Sequence, residues 1–152
     1  VSKELTYSYF SDDDFLRISE KIKETEKSTS GEICVSIKEK KSFLQKRKNI
    51  RELAVREFAR LGIKKTQDAT GVLILVLLKE REFYIWADEG INKKVPENTW
   101  DKLKEEIQSM FKKGAFCNGI LHGIENIGRI LSVHFPIKEG DVNEISNKVI
   151  LN

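Results

Sequence analysis

Seven consecutive apolar residues, Val72-Leu73-Ile74-Leu75-Val76-Leu77-Leu78, constrain this chain more than any other feature. The run is far short of the ~20 residues that a membrane span needs. Unbroken apolarity, with Gly71 before it and Lys79-Glu80-Arg81 after it, predicts a central strand buried on both faces. Such a strand needs cover above and below, so helices are expected on both sides of its sheet.

The rest of the chain supplies that cover. Ser11 and Asp14 have the spacing of a capping box, and Asp12, Asp13 and Asp14 suit the positive end of a helix dipole. Phe15, Ile18 and Ile22 continue as one helical face to about Lys27, where Thr29-Ser30-Gly31 breaks it. Ile33, Val35 and Ile37 alternate with Glu32, Cys34 and Ser36, which predicts a strand over 32–37. Ile50, Leu53, Ala54, Phe58 and Leu61 form a second helical stripe, closed by Gly62. Phe83, Ile85 and Ala87 alternate with Tyr84 and Trp86, so 82–87 should turn back on 72–78 as a hairpin. With the turn centred near Glu80, Asp88 falls opposite Val72.

Pro96 suits the start of the next helix, marked by Trp100, Leu103, Ile107 and Phe111 and ending before Gly114. Ile120, Leu121, Ile124, Ile127 and Leu131 mark the last helix, running to Pro136, with Cys117 in the connection before it. Gly119, Gly123 and Gly128 each weaken that helix by about 1 kcal/mol, so close packing on a neighbour is their expected reason. The β-α-β step predicts parallel strands joined by a right-handed crossover. The expected fold is a three-layer α/β/α sandwich around a mixed, mostly parallel sheet with one antiparallel hairpin. Residues 1–136 form the expected single domain. Residues 137–152 carry no core pattern and read as a tail following the surface.

Composition narrows the function classes. The 152 residues include 27 basic and 24 acidic ones, net +3, with 34% charged and 39% hydrophobic. This is the balance of a soluble globular domain rather than a disordered chain. Two cysteines exclude a disulfide framework and two histidines exclude a His-rich metal centre. No nucleophile elbow, phosphate-cradling glycine loop, Cys-x-x-Cys or His-Glu-x-x-His occurs. Cys34 is expected to be a buried, inert thiol, and His122 and His134 to be ordinary satisfied histidines.

Two charged constellations remain. Glu32, Asp68, Asp88 and Glu89 come from separate segments, yet the strand directions bring them to one end of the sheet. Several oxygen ligands of this kind suit Ca²⁺ or Mg²⁺, with Lys64 or Lys65 as alternative compensation. Ordinary solvated loop acids are the competing reading. At the opposite end, residues 38–51 hold seven basic residues against one acid: Lys38, Lys40, Lys41, Lys46, Arg47, Lys48 and Arg51 against Glu39. With Lys79 and Arg81 they form a candidate anion-binding site at the carboxyl ends of the parallel strands. Phe43 and Leu44 inside the block offer an apolar contact. A solvated basic approach to the next helix is the competing reading, and no interleaved aromatic platform supports specific nucleic-acid recognition.

The chain also resembles the TPM domain family, named for a thylakoid lumen protein, a photosystem II repair factor and an acetylcholine-receptor modulator. The matching pieces are Thr29-Ser30-Gly31-Glu32-Ile33-Cys34-Val35, then Ala54, Phe58 and Gly62-Ile63, then Gly71-Val72-Leu73-Ile74-Leu75-Val76. Glu80-Arg81, Gly90-Ile91, Phe111-Lys112-Lys113-Gly114-Ala115-Phe116, Gly119 and Gly123 follow in order. The chain departs from the family in having Glu80 before Arg81 and Asp88-Glu89-Gly90 in place of a Gly-x-Gly. The resemblance implies the same mixed α/β/α fold and a family that includes bacterial members, reported acid phosphatases and calcium binders. The functional expectation is therefore a TPM-type accessory or binding module acting on a protein partner. A metal-assisted acid phosphatase and an anion-binding module are the alternatives, and Ca²⁺ or Mg²⁺ is the candidate cofactor. Without a leader or anchor the chain reads as cytoplasmic; a removed leader would place it in the envelope.

Overall fold

The computed structural model describes residues 3–62, 69–137 and 149–151. A short helix α1 (Glu4–Tyr9) precedes α2 (Asp12–Glu26), β1 (Glu32–Lys38) and a 3₁₀ turn at Phe43–Gln45. Helix α3 (Ile50–Arg60), the hairpin β2 (Gly71–Leu77) and β3 (Glu82–Ala87), and the one-turn α4 (Glu89–Asn92) follow. Two longer helices, α5 (Asp101–Lys112) and α6 (Phe116–His134), lead to the two-residue strand β4 (Ile150–Leu151).

The sheet order is β3-β2-β1-β4, with β1 parallel to β2 and β4, and β2 antiparallel to β3. The apolar run is thus an inner strand, as its composition requires, and β2 is buried along its whole length. Val72, Ile74 and Val76 pack with Ile33, Val35 and Ile37 against Ile18 and Ile22 of α2, Ile107 of α5 and Ile124 and Ile127 of α6. Leu73, Leu75 and Leu77 pack with Cys34 against Leu53, Ala54 and Phe58 of α3 on the other face. This is the three-layer α/β/α sandwich that the apolar run demands.

Local chemistry explains where the elements start and stop. Ser11 Oγ accepts the Asp14 N–H at 3.1 Å and the Asp14 carboxylate accepts the Ser11 N–H at 2.9 Å, the reciprocal capping box expected at that position. Gly62 follows α3 with φ +77°, a left-handed conformation that costs glycine nothing. A Cβ on Gly128 would stand 2.0 Å from Thr25 Cγ2, so α2 and α6 approach so closely that a larger residue would force Thr25 to move, the packing role expected of the α6 glycines.

Four details lie outside what the sequence pattern predicts. Residues 4–9 form α1, which lacks a long apolar period; the Glu39 carboxylate at the end of β1 accepts both the N–H and the hydroxyl of Thr6 and so satisfies its first turn. Pro96 opens a turn rather than a helix, because the Thr99 hydroxyl and N–H both donate to its carbonyl, and α5 starts only at Asp101. Helix α6 begins at Phe116, so Cys117 lies in its first turn. Within the stretch read as a surface tail, Ile150 and Leu151 extend the sheet by pairing with Ser36 and Ile37.

The hairpin register also moves by one residue. Leu77 pairs with Glu82 and Val72 with Ala87, leaving a four-residue loop, 78–81. Arg81 closes it with φ 57° and donates its N–H to the Leu78 carbonyl at 3.2 Å. Asp88 consequently stands beside Gly71 rather than Val72.

Candidate functional site

The acidic end of the sheet is built by three backbone junctions. Glu32 pairs with Gly71 across the β1–β2 ladder, and its N–H donates to the Thr70 carbonyl at 3.1 Å. On the other side of Gly71, the Asp88 N–H donates to the Gly71 carbonyl at 2.9 Å. Two carboxylates thus flank one glycine, and both are buried, Glu32 at 4% and Asp88 at 9% exposure.

Asp88 ends β3 and starts α4. Its Oδ1 accepts the Glu89 N–H at 2.7 Å, the bond of a helix N-cap. Its Oδ2 is buried and has no hydrogen-bond partner among the described residues. A shallow hollow of about 530 Å³ is lined by Trp86, Asp88, Glu89, Asn92 and Lys93. Glu89 itself is exposed and pairs with Lys93 at 3.2 Å. Asp68, with Lys64 and Lys65, lies outside the described residues. Among the described residues no group of three or more His, Cys, Asp or Glu side chains is placed to hold a metal ion.

The structure adds a carboxyl group that the sequence reading passed over. Glu26, the last residue of α2, is buried, and its Oε2 accepts the Ile33 N–H at 2.7 Å. Burial pushes its carboxyl up to about 9, against the pull of the Ile33 N–H; the charge of Glu32 and a hydrogen bond with it push the same way as burial. Burial therefore favours the protonated form of Glu26. The signal was available: Glu26 follows Ile18 and Ile22 at a spacing of four, on the stripe that faces the core.

The other face of the sheet settles the cysteine and the inner polar groups. Cys34 is 3% exposed, and burial, followed by the negative charge of Glu57, pushes its thiol up to about 12, so it is inert. Glu57 of α3 accepts from the Ser36 hydroxyl and pairs with Arg60 at 2.7 Å. Burial opposes its charge, yet the bonds from Arg60 and Ser36 win and hold its carboxyl below the usual range. The His122 ring meets Glu106 at 3.2 Å and the Asn126 amide on α6 at 3.3 Å, as an ordinary satisfied histidine.

At the basic end, Lys79 donates its N–H to the Glu39 carbonyl at 2.8 Å and Lys41 donates its N–H to Glu80 Oε2 at 3.3 Å. These bonds staple the loop after β1 to the hairpin loop and gather Lys38, Lys40, Lys41, Lys46, Arg47, Lys48, Lys79 and Arg81 at one end. Lys38 Nζ reaches Gln45 Oε1 at 3.3 Å. A groove of about 820 Å³ opens nearby between β3 and α5, with Phe83, Tyr84 and Phe111 among its walls and Arg81, Lys104 and Lys112 at its rim.

A mixed sheet sandwiched between α3 and the α2–α5–α6 layer, acidic where its parallel strands begin and basic where they end, defines an α/β/α domain with two polarised ends. The sequence model of the TPM domain matches residues 6–130. The chain belongs to the TPM domain family. The NMR structure of the BA42 protein from the psychrophilic bacterium Bizionia argentinensis is similar at a TM-score of 0.85 and 32% identity, covering 95% of this chain and 96% of that one. The N-terminal domain of a P. gingivalis protein, also solved by NMR, shares the fold at a TM-score of 0.68 and 12% identity, covering 90% of this chain and 83% of that one. No curated protein matches the chain significantly. Among the described residues no helix is long and apolar enough to cross a membrane.

Proposed function

We propose that this TPM domain is a binding module whose acidic end takes up a divalent cation, with Asp88 as the anchoring ligand. The observation that carries the reading is the buried Asp88 Oδ2, which finds no donor among the described residues. A buried polar atom left without a partner costs roughly 1–3 kcal/mol, and more for a charged group. A cation removes that cost. Glu32 supplies a second carboxylate across Gly71. Ca²⁺ fits such a set better than Mg²⁺, because it accepts six to eight oxygens in loose geometry and sheds water more readily. Cation uptake serves an accessory role in which the domain engages a protein partner.

Thermal unfolding in millimolar CaCl₂ tests this. A ligand at a hundredfold excess over its Kd adds about 2.7 kcal/mol to stability. The melting temperature should rise with Ca²⁺, rise less with Mg²⁺, fall back with EDTA, and respond weakly in Asp88→Asn. A Ca²⁺ response that Asp88→Asn leaves intact, or no response at all, overturns the reading. Assaying the same samples with a phosphomonoester, with and without metal, decides the phosphatase alternative, in which the cation would polarise a phosphoryl oxygen.

A further inference from the structure

The most unusual surface of the molecule lies at the basic end. Phe43 and Leu44, adjacent in the 3₁₀ turn, are 82% and 86% exposed. A single exposed apolar side chain is common, but two large neighbours, each left almost wholly in water, are not. They sit between Lys40 and Lys41 on one side and Lys46, Arg47 and Lys48 on the other. None of these five cations takes part in an ion pair among the described residues. The acids nearby are turned to other work. Glu39 holds the start of α1 through Thr6, and Glu80 accepts the Lys41 N–H with its other oxygen buried.

The apolar pair is also held in place. The Ser42 carbonyl accepts the Gln45 N–H at 3.0 Å, the Gln45 carbonyl accepts the Lys48 N–H at 3.0 Å, and Gln45 Oε1 accepts the Ser42 N–H at 3.2 Å. These bonds fix the backbone on both sides of Phe43 and Leu44 and hold the two side chains together on one turn. A preformed turn also avoids the ordering entropy of a loose loop. Lys46 Nζ lies 5.4 Å from the centre of the Phe43 ring, so charge and apolar surface form one patch.

We propose that the loop 40–48 docks the protein on an anionic phospholipid bilayer, with Phe43 and Leu44 entering the headgroup–acyl boundary while Lys40, Lys41, Lys46, Arg47 and Lys48 meet the lipid phosphates. The chemistry of the patch selects this partner. Cations alone fit any polyanion, and an apolar pair alone fits any hydrophobic groove. The two interleaved on one exposed turn match an interface that is negative at its surface and apolar just beneath. The contact is peripheral and reversible, and it is independent of the cation proposed at the opposite end.

Vesicle co-sedimentation of the whole chain tests the proposal, using phosphatidylcholine with 30% phosphatidylserine against pure phosphatidylcholine. Binding should occur on the anionic vesicles only. The double variant Phe43→Ser, Leu44→Ser keeps every charge and removes only exposed groups, and it should bind at least roughly tenfold more weakly. Replacing Lys40, Lys41, Lys46 and Lys48 with Gln should weaken binding by roughly a hundredfold or more, since each cation near the surface adds about fivefold. In Phe43→Trp, the difference in emission from the wild-type chain should shift to the blue on the anionic vesicles. Three results each overturn the proposal: no binding to anionic vesicles, as an acidic protein partner would give; undiminished binding by the Ser double variant, which marks a purely electrostatic contact; or no blue shift at position 43.

Discussion

Where β1 and β2 begin, three carboxyl groups sit almost out of reach of water: Glu26, Glu32 and Asp88 are all buried. Where the same strands end, exposed Lys40, Lys46 and Arg47 and half-buried Lys41 and Lys48 surround an exposed Phe43 and Leu44. Acidic groups have been drawn inside, and basic ones left out. Buried ionisable groups change state to suit their surroundings, whereas exposed ones are screened and contribute little to stability. Substitutions at the acidic end should therefore move the stability of the fold. Substitutions at the basic end should move only what the domain binds.

A yardstick for both comes from the core that joins them. Leu75 is wholly buried between β1, β3 and α3, and Leu75→Ala should cost roughly 2–5 kcal/mol in chemical denaturation. A loss below 1 kcal/mol would show that the sheet is not the rigid link between the ends.

Glu26→Gln should have the next largest effect, and it should stabilise. Burial pushes the folded carboxyl up from its ordinary value of 4.5. A raised folded value means that its contribution is fully present below the unfolded value and drains away as the pH climbs towards the folded one. The wild type should thus lose stability across that window. Gln, which cannot ionise and can still accept the Ile33 N–H, should be the more stable protein at pH 8, with the advantage shrinking as the pH falls to 4. A flat difference between the two proteins across pH 4–8 would break the contrast at its acidic side.

Asp88→Ala should cost about 1 kcal/mol, through loss of the α4 N-cap, while Asp88→Asn should cost less because Asn caps nearly as well. Equal melting temperatures for Ala and Asn would mean that the cap contributes nothing. Smallest of all, Lys46→Gln and Lys48→Gln should each stay within about 0.5 kcal/mol of the wild type in urea titrations. A larger loss from either would show that the basic end is structural after all.

How much of this was legible in the sequence follows from what each feature depends on. The β2 strand, its two neighbours and the helices α2, α3, α5 and α6 announce themselves through periodicity, because burial dictates their patterns. Helix α1 was not legible: its first turn is satisfied by Glu39, a residue from the far end of β1. The strand β4 was hidden too, since two residues carry no period. The hairpin register slipped by one because Arg81 adopts a left-handed conformation that an arginine does not advertise. At the acidic end, strand direction alone indicated that Glu32 and Asp88 would lie beside Gly71. Glu26 was overlooked although its spacing from Ile22 pointed inward, because a glutamate at the end of a helix looks like a solvated one.

The small strand β4 has a consequence for how the molecule assembles. Ser36 and Ile37 find Ile150 and Leu151 from the opposite terminus of the chain, whereas β2 and β3 meet through a four-residue loop. Two ladder residues contribute little by themselves, and the pairing joins segments far apart in the chain. The hairpin can form early from neighbours in sequence, and β4 must wait until β1 has already been laid against β2. It will be the last strand to lock and the first to open, so native-state hydrogen exchange should release Ile150 and Leu151 well before the amides of β2.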